Sequence, residues 1–111
     1  MPMINVKCSC DIPQPVLKEL SSIAADIIGK PLQYVMAAGS RTDIILAGSA
    51  EPAAFVEVKS IGGLTSEVNR NLSQKICALL EKELHIPAER TYITFQSFTA
   101  DSWGWNGSTF G

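Results

Sequence analysis

The feature of this sequence that most constrains its fold is a strand-helix-strand pattern that occurs twice. From Val16 to Ile28 the apolar residues recur at helical spacing, and Gly29 follows as a helix terminator. Segments with strand-like patterning flank this helix over residues 3–8 and 33–38. The second half repeats the pattern, with predicted strands over 54–61 and 91–98. Between them lies a helix of about 18 residues that Thr65 or Ser66 caps and that His85-Ile86-Pro87 ends.

These two halves predict the fold class. Connections through helices favour parallel pairing of the two strands within each half, and right-handed crossovers put both helices on the same side. We therefore predict an α+β fold, in which two βαβ repeats form a four-stranded mixed sheet with two helices on one face. A short apolar run over 44–47 is predicted to pair with the preceding strand as a hairpin. The uncovered face of the sheet and a hydrophobic content of 46% predict an oligomer.

Length and charge exclude several classes of protein. A chain of 111 residues is predicted to form a single domain over 1–111. A net charge of −2 without a lysine or arginine cluster argues against binding to nucleic acid or to an anionic membrane. Because no apolar run approaches the ~20 residues that span a bilayer, and the first ten residues lack the regions of a signal peptide, we expect a cytoplasmic protein.

Few side chains are suited to metal binding or catalysis. The three cysteines lack the spacing of a metal site, so we predict no metal and interpret them as reduced structural thiols. Cys8 and Cys10 nevertheless place two thiols on one face of a strand, which leaves a redox or metal role as the alternative. The single histidine, His85, lies at a helix end, where a cation suits the helix dipole.

Pro2 is the exception, because it directly follows Met1. If Met1 is removed, Pro2 carries a free secondary amine at the chain terminus. The pKa of an unperturbed α-amine is near 7.7–8 and falls with burial or beside a cation, so the amine can be a neutral base at physiological pH. A small residue at position 2 is also common in proteins without this chemistry, and the position alone leaves both interpretations open.

Motifs spread over the whole chain resemble those of the macrophage migration inhibitory factor (MIF) family. Those motifs are Lys30-Pro31-Leu32-Gln33-Tyr34, Glu51-Pro52, Ser60-Ile61-Gly62, Asn69-Arg70, Tyr92-Ile93 and Gly104-Trp105-Asn106-Gly107-Ser108-Thr109-Phe110. The resemblance implies the fold of the tautomerase superfamily and a homotrimer with active sites between subunits. It also implies a cofactor-independent keto-enol tautomerase of the phenylpyruvate or dopachrome type. In that chemistry Met1 is removed and Pro2 is the catalytic base.

The resemblance also implies substrate-binding residues. Lys30 would bind the substrate carboxylate, Ser60 and Ile61 would line the pocket floor, and Trp105 and Phe110 would form an apolar rim. Tyr92 would come from the neighbouring subunit. Thr94 stands where the family has an asparagine, and Trp103 replaces a smaller aliphatic residue, so both changes are expected to alter substrate preference. The alternatives are a helix-terminal charge for Lys30 and ordinary core or subunit contacts for Tyr92 and Trp105.

Two other functions stay open from the sequence. A MIF-like signalling ligand, for which secretion without a signal peptide is known in the family, would keep the fold with little or no catalysis. A small ferredoxin-like regulatory module would be a monomer or a dimer. The Cys-x-x-Cys pair linked to thiol-oxidoreductase activity in the family is absent, because residues 53–56 are Ala-Ala-Phe-Val. We therefore predict no such activity.

Overall fold

Two βαβ repeats build the molecule, and the computed structural model describes residues 1–111. The sheet has the strand order β2-β1-β3-β4, in which β1 pairs parallel with β2, β3 pairs parallel with β4, and β1 joins β3 antiparallel. The predicted mixed four-stranded sheet is thereby confirmed. The elements in chain order are β1 (Pro2–Cys8), α1 (Gln14–Ile28), β2 (Met36–Arg41), β3 (Ala54–Ser60), α2 (Ser66–Leu84), β4 (Thr91–Ser97), β5 (Gly104–Trp105) and β6 (Ser108–Thr109).

The core lies between one face of the sheet and the two helices, as predicted. Alternate residues of β1 and β3 are buried on this face, and every third or fourth residue of each helix packs onto them. Full burial of one such aliphatic side chain stabilises the fold by about 1.5–3 kcal/mol. The larger aliphatic residues that are fully buried are Ile4, Val6, Leu20, Val56, Val58, Leu72, Ile76, Leu80 and Ile86.

The ends of both helices follow from local sequence. Gly29 takes the left-handed conformation at φ 77°, and its N–H donates to the Ala25 carbonyl at 3.0 Å, so α1 ends there. The next residue, Lys30, leaves the helix at the end of the sheet where β1 begins. At the start of α2 the Thr65 hydroxyl oxygen accepts a hydrogen bond from the Val68 N–H at 3.1 Å, which confirms Thr65 as the cap.

The second strand begins later than predicted. Residues 33–38 were expected to be extended, but Leu32–Tyr34 form a 3₁₀ turn in which the Tyr34 N–H donates to the Pro31 carbonyl at 3.0 Å. Pro31 precedes the turn as its cap, in an extended conformation with φ −61° and ψ 134°. Strand β2 therefore runs over Met36–Arg41, and it includes Gly39, whose lack of a side chain admits Ile12 from the helix side of the sheet.

The predicted hairpin strand at 44–47 is wrong. The segment is a loop with one isolated backbone pair between Leu46 and Ser49, and Ile45 is exposed. The Arg90 guanidinium holds this loop, because it donates hydrogen bonds to the carbonyls of Leu46, Ser49, Glu51 and Pro52 at 3.0–3.1 Å. A distant side chain therefore supplies the contacts that a strand partner would have supplied.

The chain closes with a small hairpin that the sequence analysis did not predict. Strands β5 and β6 pair antiparallel around Asn106 and Gly107, which have φ values of 52° and 79°. Two consecutive positive φ values are those of a type I′ turn, for which Asn-Gly is the favoured pair. The dipeptide was therefore a usable signal for this hairpin.

The other face of the sheet carries no helix. The alternate strand residues that point to this face are partly or fully exposed. They include aromatic side chains such as Phe55 and Tyr92, other apolar side chains and polar ones. Asn5 and Glu57 form a side-chain hydrogen bond on this face at 3.5 Å. No helix combines the length and the apolar character needed to cross a membrane.

Candidate active site

Pro2 lies at the end of the sheet where β1 begins. Its side chain is fully buried, and its Cα is paired with that of Ser60 on β3. Met1 is still attached and partly buried, and it lies between two cavities of about 530 and 300 Å³. Both cavities are bordered by Met1, Tyr34 and Phe110, so they are two chambers of one cleft around the N-terminus.

The smaller chamber contains two of the predicted residues. Lys30 reaches it from the end of α1, and Ile61 reaches it from the turn after β3. Gly63 lies beside Lys30, because a Cβ built on that glycine would be 3.5 Å from the Lys30 Cε atom. Sequence segments 30–31 and 61–63 thus meet next to the N-terminus.

The larger chamber is lined mainly by apolar and aromatic side chains. Pro2, Trp105 and Phe110, all predicted, line it together with residues that the sequence analysis did not assign to the site. Two of the unassigned residues are next to or within motifs that were assigned to the site. Lys59 directly precedes Ser60-Ile61, and Tyr34 is the last residue of the motif that begins at Lys30, so their position in the sequence could have indicated them. The further lining residues include Met36, Phe98 and Ser102, together with Trp103, which was expected to alter substrate preference.

An aromatic cluster forms the wall shared by the chambers. The rings of Trp105 and Phe110 are stacked, with centroids 5.3 Å apart and planes 12° from parallel. Tyr34 meets both rings edge-on, with centroid distances of 6.1 and 6.4 Å. Stacked and edge-to-face contacts at these distances are favourable, and they hold the C-terminal hairpin against the cleft. The wall is suited to contact with a flat aromatic ligand.

The electrostatics of the cleft favour an anion and a neutral amine. Lys30 borders one chamber and Lys59 the other, while no aspartate or glutamate lines either. Burial lowers the pKa of the Met1 α-amine, and the positive charge of Lys30 lowers it further. Both causes would act on a terminal amine at Pro2 if Met1 were removed.

Ser60 lies directly behind Pro2 and has its hydroxyl turned away from the cleft. The residue is fully buried, and its hydroxyl donates to the Gly62 carbonyl at 2.7 Å. Ser60 does not line either chamber. Its contacts fix the turn that carries Ile61 and Gly63 toward the smaller chamber.

Tyr92 and Thr94 are not brought to the cleft within one protomer. Pro2 is level with Ser60 and Ser97 in the sheet, whereas Tyr92 is level with Phe55 at the other end. The five residues from Tyr92 to Ser97 span about 17 Å along the strand, and two strand spacings add about 10 Å across the sheet. Tyr92 is 62% exposed on the open face, so its side chain is free for contact with another subunit.

No group of three or more histidine, cysteine, aspartate or glutamate side chains is arranged to hold a metal ion. The ionisable groups that border the cleft are the N-terminal amine, Lys30, Lys59 and Tyr34. This set can bind an anion, donate hydrogen bonds and, through the amine, exchange a proton.

The family model for macrophage migration inhibitory factor (MIF) matches residues 1–111. The chain is 41% identical over 108 residues to the macrophage migration inhibitory factor homolog of Trichinella spiralis, covering 96% of this chain and 93% of that one. It is 36% identical over 114 residues to the macrophage migration inhibitory factor of Rattus norvegicus, with 99% of both chains covered.

Solved structures agree with these similarities. The homologue from Prochlorococcus marinus superimposes with a TM-score of 0.93 and 42% identity, covering 98% of this chain and 99% of that chain. The macrophage migration inhibitory factor of Toxoplasma gondii gives a TM-score of 0.91 with 32% identity, covering 97% of this chain and 99% of that chain.

Proposed function

This chain belongs to the macrophage migration inhibitory factor family of the tautomerase superfamily, and we propose that it is a cofactor-independent keto-enol tautomerase. Pro2, freed by removal of Met1, is the general base. The observation that carries the proposal is the position of the N-terminus between two chambers, where burial and Lys30 lower the pKa of the terminal amine. A neutral amine at physiological pH is the form that accepts a proton.

The lining of the cleft supports a substrate with a carboxylate and an aromatic ring. Lys30 binds the carboxylate in the smaller chamber, and the wall formed by Tyr34, Trp105 and Phe110 contacts the ring. Substrates of the phenylpyruvate or dopachrome type have this combination. Lys59 supplies a second cation on the side of the larger chamber.

In the proposed mechanism, neutral Pro2 removes a proton from the α-carbon of the keto form or from the hydroxyl of the enol form. Negative charge then develops on the substrate oxygen, and the cations of the cleft stabilise it. The protonated amine returns a proton to the other atom, which completes the isomerisation and restores the base. No redox step occurs, so the reaction needs no cofactor.

We further propose a homotrimer in which Tyr92 and Thr94 of one subunit reach the cleft of the next. The exposure of Tyr92 on the open face and its separation from Pro2 within one protomer support this assembly. Tyr92 donates a hydrogen bond to the substrate. Thr94 carries a shorter side chain than asparagine, so it makes a weaker contact with the far end of the substrate.

The test is ketonisation of enol phenylpyruvate by protein whose mass shows that Met1 is absent. Pro2→Gly keeps a terminal amine but changes the base and the start of β1, and we expect a loss of about 10²–10⁴-fold in kcat/KM. A matched control retains Pro2 behind one extra residue, which converts its nitrogen to an amide and should abolish activity. Wild-type protein that is no faster than buffer would contradict the proposal.

The same variants separate catalysis from a signalling role. A MIF-like signalling ligand would bind its receptor equally well with Pro2 or with Pro2→Gly, because receptor contacts lie on the surface. The signalling alternative would be favoured if the wild-type protein had no tautomerase activity and if wild type and Pro2→Gly bound the receptor with equal affinity.

A further inference from the structure

Cys8 and Cys10 form a close pair of thiols at the end of β1 opposite to Pro2. Their Sγ atoms are 3.4 Å apart, and the Cys8 thiol also donates to the Cys10 carbonyl at 2.9 Å. Both cysteines are free thiols, and neither borders the cleft. The proposed tautomerase mechanism therefore makes no use of this pair.

The backbone around the pair is compatible with a disulfide bond. Cα atoms two positions apart in the sequence are at most about 7 Å apart in an extended chain. Because the chain bends at Ser9 and Cys10, the Cα atoms of Cys8 and Cys10 are closer than this limit, which is compatible with the Cα separation in disulfides. An S–S bond of about 2.05 Å requires the sulfurs to approach by roughly 1.4 Å, which small side-chain rotations provide.

Hydrogen bonds to neighbouring segments hold Cys8 and Ser9 in place. The Cys8 carbonyl accepts a hydrogen bond from the Thr42 N–H at 2.8 Å, and Ser9 exchanges hydrogen bonds with Ala53 through its N–H and its hydroxyl at 3.2 and 3.1 Å. A rigid backbone keeps the two sulfurs near each other, which raises the effective concentration of one thiol at the other.

The two thiols differ in accessibility. Cys8 is fully buried in the core, whereas Cys10 is partly exposed at its edge. We propose that Cys10 and Cys8 are a reversible disulfide site, in which a hydroperoxide oxidises Cys10 and Cys8 resolves the product. Cys77 is on α2 and has no cysteine partner, so it takes no part.

The reaction balances in two steps. The Cys10 thiolate attacks one oxygen of the hydroperoxide, the O–O bond breaks, and Cys10 becomes a sulfenic acid while an alcohol or water leaves. The Cys8 sulfur then attacks the Cys10 sulfur, the S–O bond breaks, and water leaves with the proton of Cys8. Two molecules of a small thiol restore both cysteines by successive exchange steps and leave as their own disulfide, and the short loop between the cysteines gives the protein disulfide little entropic protection against reduction.

A raised pKa of the Cys10 thiol makes this site slow near neutral pH. Burial first, and then the hydrogen bond and the charge interaction with Cys8, raise this pKa to about 11. The charged groups that act on Cys10 are Arg41, which opposes the rise, and Asp11, which adds to it. Because the thiolate is the nucleophile, the oxidation rate should increase about tenfold per pH unit between roughly pH 7 and 9.

Peptide mapping tests the proposal on the full chain. Protein treated with hydrogen peroxide is alkylated, digested with trypsin and compared with a sample reduced by dithiothreitol. Cleavage after lysine places both cysteines of the pair on the peptide 8–18 and Cys77 on the peptide 76–82. We expect peptide 8–18 to lose two hydrogen atoms and both alkylation sites, and to regain them on reduction, while the peptide 76–82 keeps its alkylation site.

Single variants assign the bond. Cys77→Ser should leave the change in peptide 8–18 intact, whereas Cys10→Ser and Cys8→Ser should abolish it. Cys10→Ser is the decisive variant, because Cys10 is only partly buried and its replacement spares the core. The proposal is overturned if wild-type peptide 8–18 remains alkylated at both cysteines, if its oxidation stops at sulfinic acid, or if the disulfide joins two chains on a non-reducing gel.

Discussion

At the residue scale, the two lysines of the cleft, Lys30 and Lys59, are expected to contribute unequally to binding of the substrate carboxylate. Lys30→Met should raise KM for phenylpyruvate about tenfold or more, because a hydrogen bond to a charged group contributes about 1.5–3 kcal/mol. Lys59→Met should raise KM less, since Lys59 borders the chamber away from Lys30. Steady-state kinetics with the acid and with a neutral ester measure the effect.

Lys18 provides the matched control for both variants. It is an exposed lysine on α1 that borders neither chamber, so Lys18→Met changes the net charge equally without touching the cleft. Its KM should stay that of the wild type. An equal increase in all three variants would indicate general electrostatic attraction instead of specific contacts.

The pH dependence of catalysis is a second prediction for single residues. Burial, and then Lys30, lowers the pKa of the terminal amine of Met1, and the same causes should lower that of Pro2 in the processed chain. As the pH falls through this pKa the base is protonated, so kcat/KM should fall, with a midpoint below the usual value of about 7.7–8. Lys30→Met removes a positive charge and should move the midpoint upward. An unchanged midpoint in a variant of normal fold would contradict the role of Lys30.

At the scale of elements, the turn between β3 and α2 links the fold to the cleft. Gly62 and Gly63 have φ values of 69° and 79°, where any residue with a Cβ is strained by about 1–2 kcal/mol. A Cβ at Gly62 would meet nothing within 4 Å, but a Cβ at Gly63 would lie 2.9 Å from Ile28 Cγ2 and 3.5 Å from Lys30 Cε. The two glycines therefore share the same strain and differ in their contacts.

Gly63→Ala should accordingly destabilise the protein more than Gly62→Ala, and it alone should raise KM, because the added methyl group clashes with Ile28 and would shift the end of α1, which Lys30 follows two residues later. Urea unfolding measures the first effect and steady-state kinetics the second. Equal losses of stability with unchanged KM in both variants would show that the approach of the turn to Lys30 does not matter for binding.

At the scale of the whole molecule, the proposed trimer predicts complementation between two inactive variants. Pro2→Gly replaces the proline base by a glycine amine, and Tyr92→Ala removes the side chain that is proposed to reach the neighbouring cleft, so each homotrimer should be impaired. If the two chains are mixed equally and reassembled, about a quarter of the sites combine an intact Pro2 with an intact Tyr92 from another subunit. Activity should then exceed that of either variant alone.

Light scattering on the same samples checks the assembly that this prediction needs. A trimer that shows no complementation would place Tyr92 outside the neighbouring cleft. A monomer would contradict both the shared site and the interpretation of the open sheet face as a subunit contact.

The sequence by itself determined the elements whose causes are local. The apolar spacing of α1 and α2, the cap at Thr65 and the terminating Gly29 were all visible, because each depends on residues within a few positions of one another. The parallel pairing of the two strands within each half followed as well, since strands joined by a helix pair in parallel. The family resemblance named Pro2, Lys30, Ile61, Trp105 and Phe110 as site residues, and all five border the cleft, while their roles stay predictions.

Only the tertiary structure decided features that depend on distant partners. The 44–47 segment has strand-like residues, but it forms no strand, and Arg90 donates hydrogen bonds to the Leu46 carbonyl and to the Ser49 carbonyl that follows the segment. Lys59 was not assigned to the site because alternation along β3 does not reveal that a cavity opens at its end. The 3.4 Å approach of Cys8 and Cys10 also required the bend after β1, since the geometry of a pair depends on backbone torsions that spacing alone does not specify.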